Sequence, residues 1–342
     1  MFGLFRLCLA QMVVVSHLYT GAGQWHGPYA VFAFYLLSGY LMTAGLREVY
    51  GFGLRGIGMF LGSRLLRIFP VYLVILLLAC VALWLWPVQA QQLGSVYRLP
   101  ETFVDGWRNL TLMDLRNTNA FIVPAAWTLE LEWIFYLAMP LLLSRTRWVV
   151  WIWFLVSLSY TVLLLQIDAP FNVRYYSAFS VALPFSIGAL FSYERDKLPR
   201  LPAALGVVAV LLFIGHSAFA DRWWVNPFRE GLYVSLLLAS IVLWALAGVK
   251  CDKTSHWRRI DKIVGGISYP VFLAQWLLAL VLVGIGWATP NAADGSLMWR
   301  SLPALYLVGL ILYLAVDRPI ETWRHRRRVV VANQTNAEMP PH

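Results

Sequence analysis

Apolar stretches of roughly 17 to 25 residues recur along the whole of this 342-residue chain, the length that a hydrocarbon layer of about 30 Å demands of a helix. Every backbone N–H and C=O inside lipid needs an internal partner, so only helices and closed barrels span it. Barrel strands alternate apolar and polar positions, whereas residues 72–86 and 205–215 are apolar on every face. The expected fold class is therefore all-α: a polytopic integral membrane protein with about ten transmembrane helices, centred near residues 11, 38, 79, 133, 157, 184, 211, 239, 277 and 309. The chain is 60% apolar and only 13% charged, and no soluble domain fits between the spans. The longest break, residues 89–121, is polar and reads as an ordered loop. Residues 1–320 form one transmembrane domain on this reading, and 321–342 a flexible basic tail.

Cytoplasmic loops retain lysine and arginine. Placing the N-terminus inside puts 20 of the 27 basic residues on the inner side, and the outer seven are balanced by seven carboxylates. Both termini are then cytoplasmic. The net charge of +10 is a topology signal, and nucleic-acid binding is not needed to explain it. Arg6 followed by an apolar run and Gly21-Ala22-Gly23 resembles a signal peptide, but His17 sits awkwardly in a discarded segment, and the first span is kept. Cys8, Cys80 and Cys251 are not placed for a disulfide, and no metal-ligand spacing occurs.

Chemistry is expected where ionisable groups fall inside spans, because a charge there costs at least ~2.5 kcal/mol unless paired or solvated. His17, Glu130 and Glu132 meet that criterion. Arg6 and His17 are eleven residues apart, about 20° beyond three full turns, so they share a helix face with an axial separation of roughly 16 Å. Glu130 and Glu132 point about 200° apart, and at most one can face the histidine. Glu132 shares its face with Thr128 and Tyr136, Glu130 with Trp127 and Trp133; spacing does not choose between them.

Arg64 and Arg67, three apart on an expected interfacial helix, share a face on which two guanidiniums can grip phosphates. Ordinary positive-inside anchoring explains them equally well. Arg55 belongs to the same patch. Ser38-Gly39 lacks the strand-turn-helix surroundings of a nucleophile elbow and reads as a tight-packing feature or helix end. Trp25, His26, Trp107, Trp223 and Trp224 lie at outer ends of spans, where aromatic faces suit both sugar stacking and the interfacial aromatic belt. Asn109-Leu110-Thr111 carries the glycosylation pattern on the outer side, but that matters only in a eukaryotic secretory pathway, which nothing in the sequence supports.

Several segments, in order along nearly the whole chain, resemble the acyltransferase-3 family of membrane acyltransferases. These are Arg6 to His17, Leu36-Leu37-Ser38-Gly39-Tyr40, Arg64-Leu65-Leu66-Arg67-Ile68-Phe69-Pro70-Val71-Tyr72 and Trp127-Thr128-Leu129-Glu130-Leu131-Glu132-Trp133-Ile134-Phe135-Tyr136. Ile267-Ser268-Tyr269 and Asp317-Arg318-Pro319 resemble two further landmarks. The resemblance implies ten spans and transfer of an acyl group, most often acetyl, from cytoplasmic acetyl-CoA to a hydroxyl of a surface or lipid-linked glycan, at a bacterial inner membrane. His17 matches the family's essential histidine, Arg6 its preceding arginine, Arg64 and Arg67 its paired arginines, and Glu132 its fourth-span glutamate.

An imidazole with a pKa near neutrality suits removal of a hydroxyl proton, and a carboxylate such as Glu132 can fix its tautomer. Acylation of His17 itself is the other route. Glu130, Tyr136, Trp127, Trp25, His26, Trp223 and Trp224 are candidate acceptor contacts. The expected partners are the lipid bilayer, acyl-CoA and a glycan, with no nucleic acid and no metal; a homo-oligomer is left open. The chain departs from the common family pattern at Gln275, where many members have histidine, at Phe32, where an acidic residue is common, and at Glu130, which replaces a serine. A transporter or flippase of a lipid-linked glycan, with His17 and the glutamates as a proton relay, is the alternative from another class; the internal repeats such carriers often show are not detected.

Overall fold

The computed structural model describes residues 2–223, 226–249, 255–290 and 293–323. Trp224, Cys251 and the expected basic tail from residue 324 onward lie outside the described residues. In chain order the helices are α1 Gly3–Leu18, α2 His26–Gly45, α3 Leu54–Leu85, α4 Pro87–Leu93, α5 Phe103–Thr111, α6 Trp127–Ala138 and α7 Arg147–Gln166. They continue with α8 Phe171–Tyr176, α9 Ala178–Glu194, α10 Ala203–Trp223, α11 Leu232–Gly248, α12 His256–Gly284 and α13 Ser296–Leu312. Short π-helical turns extend α2, α6 and α13, and another precedes α11. The described residues contain no strand, only an isolated bridge between Tyr97 and Phe121.

Eight helical stretches are long and apolar enough to cross a bilayer, and the other two expected spans are the shorter apolar helices α1 and α9. The protein is an all-α polytopic membrane protein. The last helical stretch runs on to Trp323, three residues beyond the expected end of the domain.

Burial sorts these helices into a centre and a rim. The stretch containing α2 buries 72% of its most apolar window, whereas α7 and α10 bury 28%. On the rim, side chains such as Ile152, Val156, Leu211 and Leu212 face outward, as hydrocarbon-facing residues do in a helical bundle. The centre is held by small-residue crossings. A Cβ on Gly39 of α2 would lie 2.1 Å from the Phe185 carbonyl oxygen of α9, and one on Gly188 2.0 Å from that of Leu36. Only glycine permits that approach, so Ser38-Gly39 is a packing feature, as the sequence suggests.

α1 and α12 run side by side in the same direction. The Asp261 carboxylate accepts the Gly3 N–H at 2.9 Å at one end, and His17 meets Gln275 near the other. This parallel pairing fixes the relative depth of the α1 and α12 residues discussed below.

One expectation changes here. Arg64 and Arg67 do not occupy a separate interfacial helix but the first half of α3. Thirty-two residues rise about 48 Å, well beyond the hydrocarbon thickness, so the charged end protrudes while the same rod continues as the span. Pro70 does not end it; neighbouring helices make proline tolerable within spans. The glycosylation pattern also fails sterically. Asn109 is buried, its amide donating to the Asp105 and Ala120 carbonyls and accepting from Ile122 N–H. That side chain is the hub of the ordered outer loop, and the Asn109 backbone carbonyl accepts from the Tyr72 hydroxyl of α3.

Candidate active site

A cavity of about 790 Å³, its open mouth included, lies among α1, α2, α3, α6 and α12. Arg6, Arg64 and Arg67 line it together with one carboxylate, Glu132. Glu132 is held from both sides: Ser38 Oγ donates to Oε1 at 2.9 Å and the Tyr136 hydroxyl to Oε2 at 2.7 Å. The Arg64 guanidinium lies 5.0 Å from the centre of the Phe60 ring and 5.8 Å from that of Tyr136, a cation over aromatic faces. Its Nε is buried without a hydrogen-bond partner among the described residues. Three half-buried guanidiniums facing one carboxylate leave an excess of positive charge in a partly enclosed site. Such an excess is costly unless an anion completes it.

α12 contributes Ser268, Tyr269 and Phe272. Tyr269 belongs to the site through its hydroxyl, which donates to the Ile68 carbonyl of α3 at 2.9 Å and so ties α12 to the arginine-bearing helix. Phe272 is the outermost α12 residue of the lining and meets Phe34 of α2 edge to face, ring centres 6.0 Å apart.

His17 is not in this lining. It lies one turn further out, where its Nδ1 is 3.2 Å from Gln275 Oε1 and its ring 5.5 Å from that of Trp276. Arg6 and His17 thus serve successive depths on one side of α1. The parallel α1–α12 pairing puts Phe272, with Phe34 against it, on the side of the cavity toward the imidazole.

Neither glutamate faces His17. Glu130 is buried in an ion pair with Arg116 of the outer loop, accepting from the Arg116 backbone N–H at 2.8 Å and from its Nε and Nη2 at 3.0 Å. Trp127 packs against Tyr175 and Tyr176. His26 spends both ring nitrogens, on Ser217 Oγ at 2.6 Å and the Ala22 carbonyl at 2.7 Å, and the Trp25 indole donates to the Ser217 carbonyl at 2.8 Å. Trp223 is exposed and stacks on Phe219, and Trp224 is outside the described residues. Arg55 is exposed and absent from the cavity lining. The structure therefore brings together Arg6, Arg64, Arg67, Glu132 and Tyr136, sets His17 beside Gln275, one turn beyond Phe272 at the end of the lining, and disperses the rest.

Sequence reasoning missed Ser38 as a partner of Glu132, Tyr269 as a tie between helices, and Gln275 as the partner of His17. All three stand in segments that the sequence singles out, but their roles depend on contacts with other helices. Phe32, the other departure from the common pattern, is buried between Tyr175 and Tyr233. No cluster of metal-ligating side chains occurs among the described residues.

The model of the acyltransferase-3 family, described as an acyltransferase domain, matches residues 2–318. No curated protein matches the chain, and no solved structure does. That match runs through the arginine cavity, the imidazole beyond it and all ten spans, and the chain belongs to the acyltransferase-3 family of membrane acyltransferases.

Proposed function

We propose that this membrane acyltransferase takes an acetyl group from cytoplasmic acetyl-CoA and places it on a hydroxyl of an extracytoplasmic or lipid-linked glycan, at a bacterial inner membrane. The observation that carries the reading is the cavity in which Arg6, Arg64 and Arg67 outnumber the single carboxylate Glu132. A diphosphate-bearing thioester supplies the missing negative charge, and guanidinium forks match phosphate oxygens. Its slender pantetheine arm then extends along the cavity toward Phe34 and Phe272, with the thioester carbon directed at His17.

Transfer there balances simply. The acceptor oxygen attacks the thioester carbonyl carbon as its proton passes to the imidazole, the C–S bond breaks, and the imidazolium returns the proton to the departing thiolate. Holding donor, acceptor and base at one depth supplies most of what such a reaction needs. A proton-relay transporter would require His17 to connect with the glutamates. Glu130 is committed to Arg116 and Glu132 to Ser38 and Tyr136, so the described residues offer no such path.

The test is acetyl transfer by the purified full chain in proteoliposomes, supplied with labelled acetyl-CoA and extracted surface glycans. Label should move to glycan in the wild type and not in His17→Ala of equal abundance. An unreacted thioester under all donor and acceptor combinations, or full activity in His17→Ala, overturns the reading.

A further inference from the structure

Gln275 is fully buried, and its amide is gripped at both ends. Its Nε2 donates to the Phe272 carbonyl at 2.8 Å, one turn back on α12, and its Oε1 lies 3.2 Å from His17 Nδ1. A backbone carbonyl can only accept, which obliges the NH2 end of the amide to face Phe272. The remaining end is an amide oxygen, which also can only accept. Nδ1 of His17 must therefore be the donor. A neutral imidazole carries one N–H, so Nε2 is left with its lone pair.

We propose that Gln275 is the positioning residue of the transfer reaction: it fixes His17 in the Nδ1–H tautomer and so presents Nε2 as the base toward the acceptor hydroxyl. The opposite tautomer would set the Nδ1 lone pair against the amide oxygen. Turning the amide over to relieve that clash would set its oxygen against the Phe272 carbonyl. Each single reversal leaves two acceptors facing each other beside the fully buried amide, so the ring and the amide select one arrangement together.

An amide suits this depth better than the carboxylate that the sequence alone suggests for the task. It orients the ring without adding a charge to a region where both span glutamates are already committed elsewhere. Trp276, the next residue on α12, covers the ring from the side, with the two planes inclined at 49°. Phe272 thereby has two roles: its ring lines the cavity and its carbonyl anchors the amide that orients the base.

The tautomer assignment stands on geometry alone, while the positioning role rests on the proposed acyl transfer; the experiment separates the two. The full chain, labelled with 15N in its histidine rings and held in lipid bilayers above neutral pH, is compared by solid-state NMR with His17→Ala to identify the His17 signals. Wild type should show Nδ1 protonated and Nε2 bare. Gln275→Met, of similar length but offering only a weak thioether acceptor, should lose that single tautomer and lower kcat at least about tenfold, with the donor KM within about twofold of wild type.

Gln275→Glu keeps an acceptor oxygen toward Nδ1, and its protonated form can still donate to Phe272. It should preserve the tautomer and most of kcat. An Nε2–H tautomer in the wild type, or an unchanged tautomer in Gln275→Met, overturns the inference. The wild-type spectrum decides even where a variant fails to fold. The expected spectra without any acyl transfer would support the tautomer and remove the function instead.

Discussion

Ser38 and Glu132 meet across the cavity at 2.9 Å, joining the Ser-Gly crossing of α2 to the fourth-span carboxylate of α6. Glu132 therefore belongs with the arginines rather than with His17. A hydrogen bond to a charged group contributes about 1.5–3 kcal/mol. Ser38→Ala and Glu132→Gln should each lower thermal stability in lipid or detergent, and a double-mutant cycle should return a coupling of about 1–2 kcal/mol. Additive losses would mean that the two side chains do not act as a pair.

Donor binding should depend on the cavity arginines individually. Loss of one charge-assisted contact of about 1.5–3 kcal/mol corresponds to roughly a ten- to hundredfold rise in Kd. Arg64→Ala and Arg67→Ala should each show it when coenzyme A is titrated calorimetrically into the purified chain. Arg55→Ala should stay within about twofold, because that side chain is exposed and outside the lining. Equal effects from all three would reduce the arginines to a general basic surface.

Phe34 and Phe272 line the arginine cavity on the side toward the turn that carries His17, so the proposed delivery of an acyl group to the imidazole passes this pair. Phe272→Trp, which adds bulk there, should slow transfer severalfold while coenzyme A binds as before. Phe272→Ala should raise hydrolysis of acetyl-CoA in the absence of acceptor, since an edge-to-face pair that excludes water is lost. Wild-type rates in Phe272→Trp would place the donor's path elsewhere.

Glu130 is the more structural of the two span glutamates. Removing one partner of a buried ion pair costs about 3–5 kcal/mol, and Arg116→Ala leaves Glu130 inside α6 without its main-pair charge. Thermal unfolding should fall accordingly, and residues 101–123 should become accessible to protease, with kcat per folded molecule nearly unchanged. A large loss of kcat without loss of stability would return Glu130 to the chemistry.

The spans were legible because a bilayer imposes its thickness on every crossing helix, leaving long apolar runs that need no partner to be recognised. The Arg6–His17 alignment was legible for a similar reason, since both lie on one helix with a fixed pitch. The choice between Glu130 and Glu132 was not, because Arg116 reaches α6 from an outer loop and Ser38 from α2. Gln275 stands 258 residues from His17. Nothing local marks it as the acceptor for Nδ1 except its substitution for a histidine common in the family. Helical periodicity gives direction along one rod, whereas these pairings depend on how the rods cross.

The outer loop carries its own pH response. Asp105 accepts from Thr118 Oγ1 and Thr102 Oγ1, each at 2.8 Å, and from Arg108. Those donors, the threonine hydroxyls foremost, hold its carboxyl below the ordinary carboxylate range. Asp114 is held down in the same sense by Asn117 and Arg108. A carboxylate with a lowered folded-state pKa contributes its stability above the unfolded value of about 3.9. That contribution disappears as the pH falls through the folded value. Hydrogen exchange in residues 103–121, corrected for intrinsic rates, should therefore be flat from neutral pH down to about pH 5 and rise only near and below about pH 4. Asp105→Asn should show the raised exchange at every pH, because the amide presents donors where hydroxyls and a guanidinium already donate. Wild-type exchange that rises between pH 7 and pH 5 would point to a different titrating group and remove Asp105 from this role.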